Sequence, residues 1–306
     1  MLYICSRDKM EQKPIARFIN PFSDWGFKKI FGQEINKDLL INFLNDLLEG
    51  EHHIKDLTFK DKEQLPELQD MRGIIYDIYC ITDKGEHVIV EMQNRYQPYF
   101  TDRSLFYSAR NIVNQGVKGA KWDYMLAPVY TVCFLNYDMD EFTPVKFRTD
   151  VALMDMNDKT LFSDRIRLVY LMLPLFSKEE DECENDFERW IYILKNMSTF
   201  ERMPFQARNA VFKKLSEITD ISALSHEERE KYDESLKYMR DYNASLEGAK
   251  IIGHREGLQA GLKEGKKEGL LESQTNIARM MLNDGESIDK IMRYTGLTED
   301  QIKQLN

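Results

Sequence analysis

The sequence predicts an α/β core followed by a helical C-terminal tail, and three observations carry that expectation. Helical periodicity fills the stretch from Phe18 to about Asp61, alternating and β-branched runs follow it, and beyond about Leu246 the chain becomes glycine-punctuated helical sequence. Helical and strand-forming segments that alternate in this way build a sheet covered by helices.

The first helical segment, DWGFKKIFG, is short and amphipathic. Asp24 stands at its start, either as the cap, which is the favoured reading, or as a further acidic group of a functional site. In the second, NKDLLINFLNDLLEG, Leu39, Leu40, Phe43, Leu44, Leu47 and Leu48 mark one buried face. Asn36 or Asp38 can cap it and Gly50 ends it. IIYDIYCI and HVIVEMQ then flank the turn TDKGE, TDRSLFYSARNIVNQGVKG reads as a helix, and PVYTVCFLNY as a buried strand. VALMDM and RIRLVYLMLPLF add strands, and ENDFERWIYILKNM returns to helix.

In the tail, glycine recurs at Gly253, Gly257, Gly261, Gly265 and Gly269. Each costs about 0.8 to 1 kcal/mol against alanine inside a helix, so residues 246–272 either stay flexible or pack the glycine stripe against another helix. Five basic and five acidic residues between Leu246 and Glu272 balance, which suits helices lying side by side and predicts a homo-oligomer formed through this segment. Residues 273–306 read as three short helices broken at Asp284-Gly285 and Thr295-Gly296. The last two suit a helix-turn-helix reader of DNA, but four basic against five acidic residues favour a protein–protein role.

Composition excludes several functions. The chain of 306 residues is 42% hydrophobic and 31% charged, with no apolar run long enough to span a bilayer and no apolar stretch after MLYICSRDKM to serve as a secretory signal. A cytoplasmic protein without membrane attachment is expected. Cys5, Cys80, Cys133 and Cys183 lie too far apart for a zinc site and are expected to be reduced packing residues. A net charge of -10 argues against nucleic-acid binding by charge alone, but acidic clusters are what a divalent cation needs.

Strand parity singles out one such cluster. If Thr82 to Glu86 form the turn, Ile81 faces His87, Asp77 faces Glu91 and Ile75 faces Gln93. Ile74, Tyr76, Ile78, Cys80, Val88, Val90 and Met92 then share an apolar face, and Asp77, Glu91 and Gln93 lie on the other among Ile75, Tyr79 and Ile89. Opposed carboxylates repel, so the pair implies a shared proton, a basic partner or a bound divalent cation, unless one of the two is simply exposed or salt-bridged. Arg103 and Arg110 fall on one helix face with Tyr107, either contacting phosphates or forming a solvated face. Lys118 and Lys121 make a small basic patch beside Trp122 and Tyr124.

An Asp in one strand followed across a hairpin by Glu-x-Lys or a variant resembles the PD-(D/E)XK nuclease signature, here from Met71-Arg72-Gly73 and Asp77 to Glu91-Met92-Gln93, with Gln in place of Lys. FINPFSDWGFKKIFG (Phe18 to Gly32), FLNDLL (Phe43 to Leu48), IVEMQ (Ile89 to Gln93), RSLFYSAR (Arg103 to Arg110), KGAKWDY (Lys118 to Tyr124) and PVYTVCFLNY (Pro128 to Tyr137) together resemble the recombination-promoting nuclease, or transposase, family. The likeness covers residues 18–245 as a nuclease domain, with the glycine-rich tail also similar to tails of that family. It implies a restriction-endonuclease-like core, a mixed sheet flanked by helices. It further implies Mg²⁺-dependent cleavage of DNA phosphodiester bonds, with Mn²⁺ as a substitute, in recombination, mobile-element or defence settings. Asp77 and Glu91 would bind the cation, and Gln93 would stand where lysine commonly orients water and stabilises charge, offering a hydrogen bond but no charge. Two alternatives are a cleavage-inactive module that keeps the fold and assembles through its tail, and a DNA-binding regulator.

Overall fold

Local sequence chemistry sets the first helix. Ser23 accepts a hydrogen bond from the Gly26 N–H at 3.1 Å and donates to the Asn20 carbonyl at 2.8 Å, which caps α1 (Asp24–Phe31). Ser23, and not the expected Asp24, is therefore the capping residue, because its hydroxyl can bridge the turn before the helix in both directions. A Cβ at Gly26 would stand 2.2 Å from the Asn20 carbonyl oxygen, so the tight turn requires glycine there. α2 (Lys37–Leu47) buries Leu39, Leu40, Phe43, Leu44 and Leu47. Asn36 precedes it, yet the Asn36 amide donates to the Lys29 carbonyl and to Gln33 and does not cap. Gly50, at φ 81°, takes the left-handed conformation just beyond the helix end.

The computed structural model describes residues 16–50, 53–64, 74–116, 123–139 and 145–305. The chain divides into two compact units, Met1–Lys237 and Tyr238–Asn306. In the first, the strands are β1 (Leu57–Phe59), β2 (Glu63–Gln64), β3 (Ile74–Ile75), β4 (Ile78–Thr82), β5 (His87–Gln93), β6 (Val129–Leu135), β7 (Arg148–Met154) and β8 (Leu161–Met172). Among the described residues six of them form one sheet in the order β1-β4-β5-β6-β8-β7. β5, β6 and β8 run parallel while β1, β4 and β7 pair antiparallel, so the sheet is mixed. Helices α3 (Phe100–Val113), α4 (Asp186–Asn196) and α5 (Ala210–Thr219) complete the flanking layers.

At its centre both faces of the sheet are covered, which explains why every residue of β6 is buried. On one face Ile78, Cys80, Val88, Val90, Val132 and Phe134 join α1, α2, α4 and α5 in a single core around Phe31, Phe43 and Trp190. The Phe134 ring lies 5.0 Å from Phe43 and 5.6 Å from Phe27, within the range of favourable aromatic pairs. On the other face α3 is anchored by hydroxyl bonds, Ser108 to Thr131 at 2.7 Å and Ser104 to Tyr170 at 2.6 Å. Cys80, Cys133 and Cys183 are buried free thiols, as their spacing predicts; Cys5 lies outside the described residues.

α6 (His226–Asn283) is one continuous helix that passes from the first unit into the second, where α7 (Ile288–Thr295) and α8 (Glu299–Lys303) follow. The expected breaks fall at Gly285 and Gly296, both left-handed, but the first of the three expected short helices is the end of α6. Ala278, Ile291, Leu297 and Ile302 form a small core there, and Thr298 with Gln301 makes a capping box for α8. The glycine-rich segment is helical throughout, and a Cβ at any of Gly253, Gly257, Gly261, Gly265 or Gly269 would meet nothing within 4 Å beyond the helix's own neighbouring backbone. No helix among the described residues is long and apolar enough to cross a membrane.

Candidate active site

The hairpin has the predicted register. Ile81 pairs with His87, Cys80 with Val88, Tyr79 with Ile89 and Ile78 with Val90 around a turn whose Gly85 adopts φ 82°. The ladder then stops, because residue 77 forms a bend. Asp77 still arrives beside Glu91: its N–H donates to Glu91 Oε1 at 3.3 Å, and its Oδ2 accepts from the Met92 N–H at 2.8 Å.

The bend corrects two expectations. Ile75 does not face Gln93 but pairs with Glu63, and Ile74 pairs with Gln64, while the Tyr76 N–H donates to the Lys62 carbonyl at 3.0 Å. Parity changes at the same point. Ile74 and Tyr76 pack with Tyr79 and Ile89, not with Ile78, Cys80, Val88 and Val90. The chain before Asp77 finds its hydrogen bonds on the segment after Lys60, and that pairing turns it out of the β4 direction.

Burial makes this pair costly. Glu91 is 2% exposed, and desolvation, then the charge of Asp77, pushes its pKa up to about 8. Asp77 is also raised, chiefly by burial, against the lowering effects of the Met92 N–H bond and the charge of Lys28. Cys133, fully buried on β6 beside them, has its thiol pushed well above the ordinary value by burial. Two desolvated carboxylates and the Gln93 amide oxygen on the same strand suit Mg²⁺, which takes one or two carboxylates and completes its shell with water and phosphate oxygens. Among the described residues no group of three or more His, Cys, Asp or Glu side chains is placed to hold a metal ion.

One cation contacts the pair directly, and two more act on it by charge. Arg103, on α3, reaches Glu91 Oε2 at 3.5 Å and Gln97 at 2.6 Å, with its guanidinium 5.0 Å from the Phe100 ring centre and 5.6 Å from that of Tyr107. Tyr107 in turn meets Tyr76 edge-on at 5.3 Å. Arg103 forms an ion pair with Glu91. Asp24 pairs with Lys28 at 2.5 Å, and both charges act on Asp77. Lys62, whose pKa burial lowers, feels Asp24, Asp77 and Lys28. Sequence reasoning did not select Lys28 or Lys62: Lys28 reads as a solvated i,i+4 partner of Asp24, and nothing around Lys62 marks a strand. Met71 to Gly73, Lys118, Lys121 and Trp122 lie outside the described residues.

A mixed sheet flanked by helices, with an acidic pair where a hairpin strand bends, is the architecture of the PD-(D/E)XK nuclease class. The sequence model of the PD-(D/E)XK nuclease family transposases matches residues 21–249, and the chain belongs to that family. Residues 271–306 match the C-terminal HTH domain of the Rpn/YhgA-like nuclease family. No curated protein and no solved structure matches the chain.

Proposed function

We propose that the chain is a cytoplasmic, Mg²⁺-dependent DNA endonuclease, with Mn²⁺ able to replace Mg²⁺, acting in recombination, mobile-element or defence processes. The observation that carries this reading is the juxtaposition of the half-buried Asp77 and the buried Glu91, carboxylates tied to each other's strands and raised by desolvation. Such a pair is unfavourable without a cation and becomes favourable with one.

In this reading Asp77 and Glu91 hold the metal ion. When bound, the ion supplies positive charge that polarises the scissile phosphate and acidifies water. The chain's own groups do the rest. Met92 N–H and Asp77 N–H fix the orientation of the two carboxylates, and Arg103 holds Glu91 from the α3 side. Gln93 donates a hydrogen bond from its amide to water or phosphate oxygen, and Asp24 sets the field on Asp77 through its charge. Tyr107 supports the Arg103 guanidinium, while Arg110 and the basic pair Lys118 and Lys121 serve as backbone-phosphate contacts.

Nicking of supercoiled plasmid by the purified chain with Mg²⁺ or Mn²⁺, and its loss in chelator, tests the reading. The absence of nicking under every divalent ion favours instead a cleavage-inactive module, a reading that the uncharged Gln93 supports.

The tail carries the partner assignments. The match to an HTH domain favours DNA as the ligand of residues 273–306, against the protein–protein role that their charge balance favours. The open glycine stripe and the exposed Leu258, Leu262 and Leu270 of α6 favour a homo-oligomer through residues 246–272. A four-residue repeat exceeds the 3.6-residue turn, so partners that follow it wind right-handed. Light scattering that returns a monomer mass for the full chain refutes that assembly.

A further inference from the structure

We propose that Lys28, on α1, supplies the positive charge that the uncharged Gln93 leaves missing, by holding a non-bridging oxygen of the phosphate under attack. This inference rests on the nuclease reading of Asp77 and Glu91.

The strand position offers only an amide at Gln93, so a cation for the phosphate has to come from another element. Three stand near the carboxylates. Arg103 is committed: it binds Gln97 and Glu91 and lies against both Phe100 and Tyr107. Lys62 is drawn into the protein, half-buried where its own carbonyl accepts the Tyr76 N–H. Lys28 is partly exposed, and its ion-pair partner among the described residues is the more exposed Asp24 one turn earlier. Exposed i,i+4 pairs hold their lysines weakly, so Lys28 is the cation most easily released to a substrate.

The packing of α1 brings its last turn against the start of β4. A Cβ at Gly32 would stand 3.6 Å from Ile78 Cγ1 and 3.1 Å from the Lys28 carbonyl oxygen, so the end of α1 rests directly on the residue after Asp77. Lys28 is also a cation whose charge acts on both Asp77 and Glu91. Asp24 then acts as a positioning residue that holds Lys28 extended until DNA arrives.

The test compares the wild-type chain with Lys28→Met, Lys28→Arg and the double variant Lys28→Met/Gln93→Lys. In single-turnover plasmid cleavage, Lys28→Met lowers the rate about 10²- to 10³-fold, the usual loss for one transition-state donor. Lys28→Arg and the double variant each recover at least about tenfold of that loss, which a merely structural role does not permit. Duplex binding with Ca²⁺ in place of Mg²⁺ supplies an independent readout: the slope of log affinity against log salt falls by about 1 in Lys28→Met. A Lys28→Met protein that cleaves within about threefold of an active wild type, a double variant no faster than Lys28→Met, or an unchanged salt slope overturns the assignment. An inactive wild type overturns the nuclease reading and this inference together, a result distinct from any of those.

Discussion

Asp77 and Glu91 are joined crosswise: the Asp77 N–H donates to the Glu91 carboxylate, and the Asp77 carboxylate accepts from the residue after Glu91. Each acid is thus oriented by the opposite strand, at the point where the hairpin ladder has ended.

That arrangement makes stability depend on pH and on cation together. Without metal, the folded chain keeps the Glu91 proton up to about 8, whereas an exposed Glu loses it near 4.5. Between those values the folded state binds more protons, so the contribution of Glu91 is full below the lower value and is lost as pH rises through the upper one. Mg²⁺ binds the ionised pair, so its stabilising effect grows over the same window. Thermal midpoints with and without Mg²⁺ at about pH 5.5 and 8 check this: the metal-induced rise is larger at the higher pH, and an equal rise at both contradicts the account.

Gln93→Lys restores the charge that the commoner strand pattern carries, and cleavage in that variant stays the same or increases. The measurement is plasmid nicking under saturating Mg²⁺. A variant that folds and binds metal but is dead assigns Gln93 a role lysine cannot fill.

Gly26→Ala forces a methyl group to within 2.2 Å of the Asn20 carbonyl oxygen, a backbone atom with little room to yield. The turn that launches α1 has to shift, at a cost of about 1 to 3 kcal/mol. A drop of several degrees in the thermal midpoint, with reduced cleavage because Asp24 and Lys28 ride on the same helix, is the expected outcome. An unchanged midpoint refutes it.

The sequence made the hairpin legible because its signals are local: alternation on both sides of a turn whose Gly85 supplies a positive φ. It did not reveal the bend at Asp77. The bend depends on β2, where Glu63 and Gln64 carry no strand pattern, and on a backbone bond from Tyr76 to Lys62. Parity therefore placed Asp77 and Glu91 together correctly but assigned Ile74 and Tyr76 to the wrong face. At α1 the expectation that Asp24 caps the helix failed because the Asn20 carbonyl that fixes Ser23 as the cap is a feature of the folded turn. In α6 five glycines argued against a stable isolated helix, yet the leucine, lysine, glutamate and alanine between them are strong helix formers and the helix runs unbroken.

The most direct measurement is metal binding and plasmid cleavage by the wild type beside Asp77→Asn, which keeps an oxygen for the Met92 N–H and removes the charge. The account predicts that the wild type binds Mn²⁺ and nicks DNA with Mg²⁺, and that Asp77→Asn remains folded, binds the metal at least about tenfold more weakly and loses cleavage by about 10² or more. An Asp77→Asn protein that cleaves at the wild-type rate contradicts the central claim that Asp77 and Glu91 form the metal site.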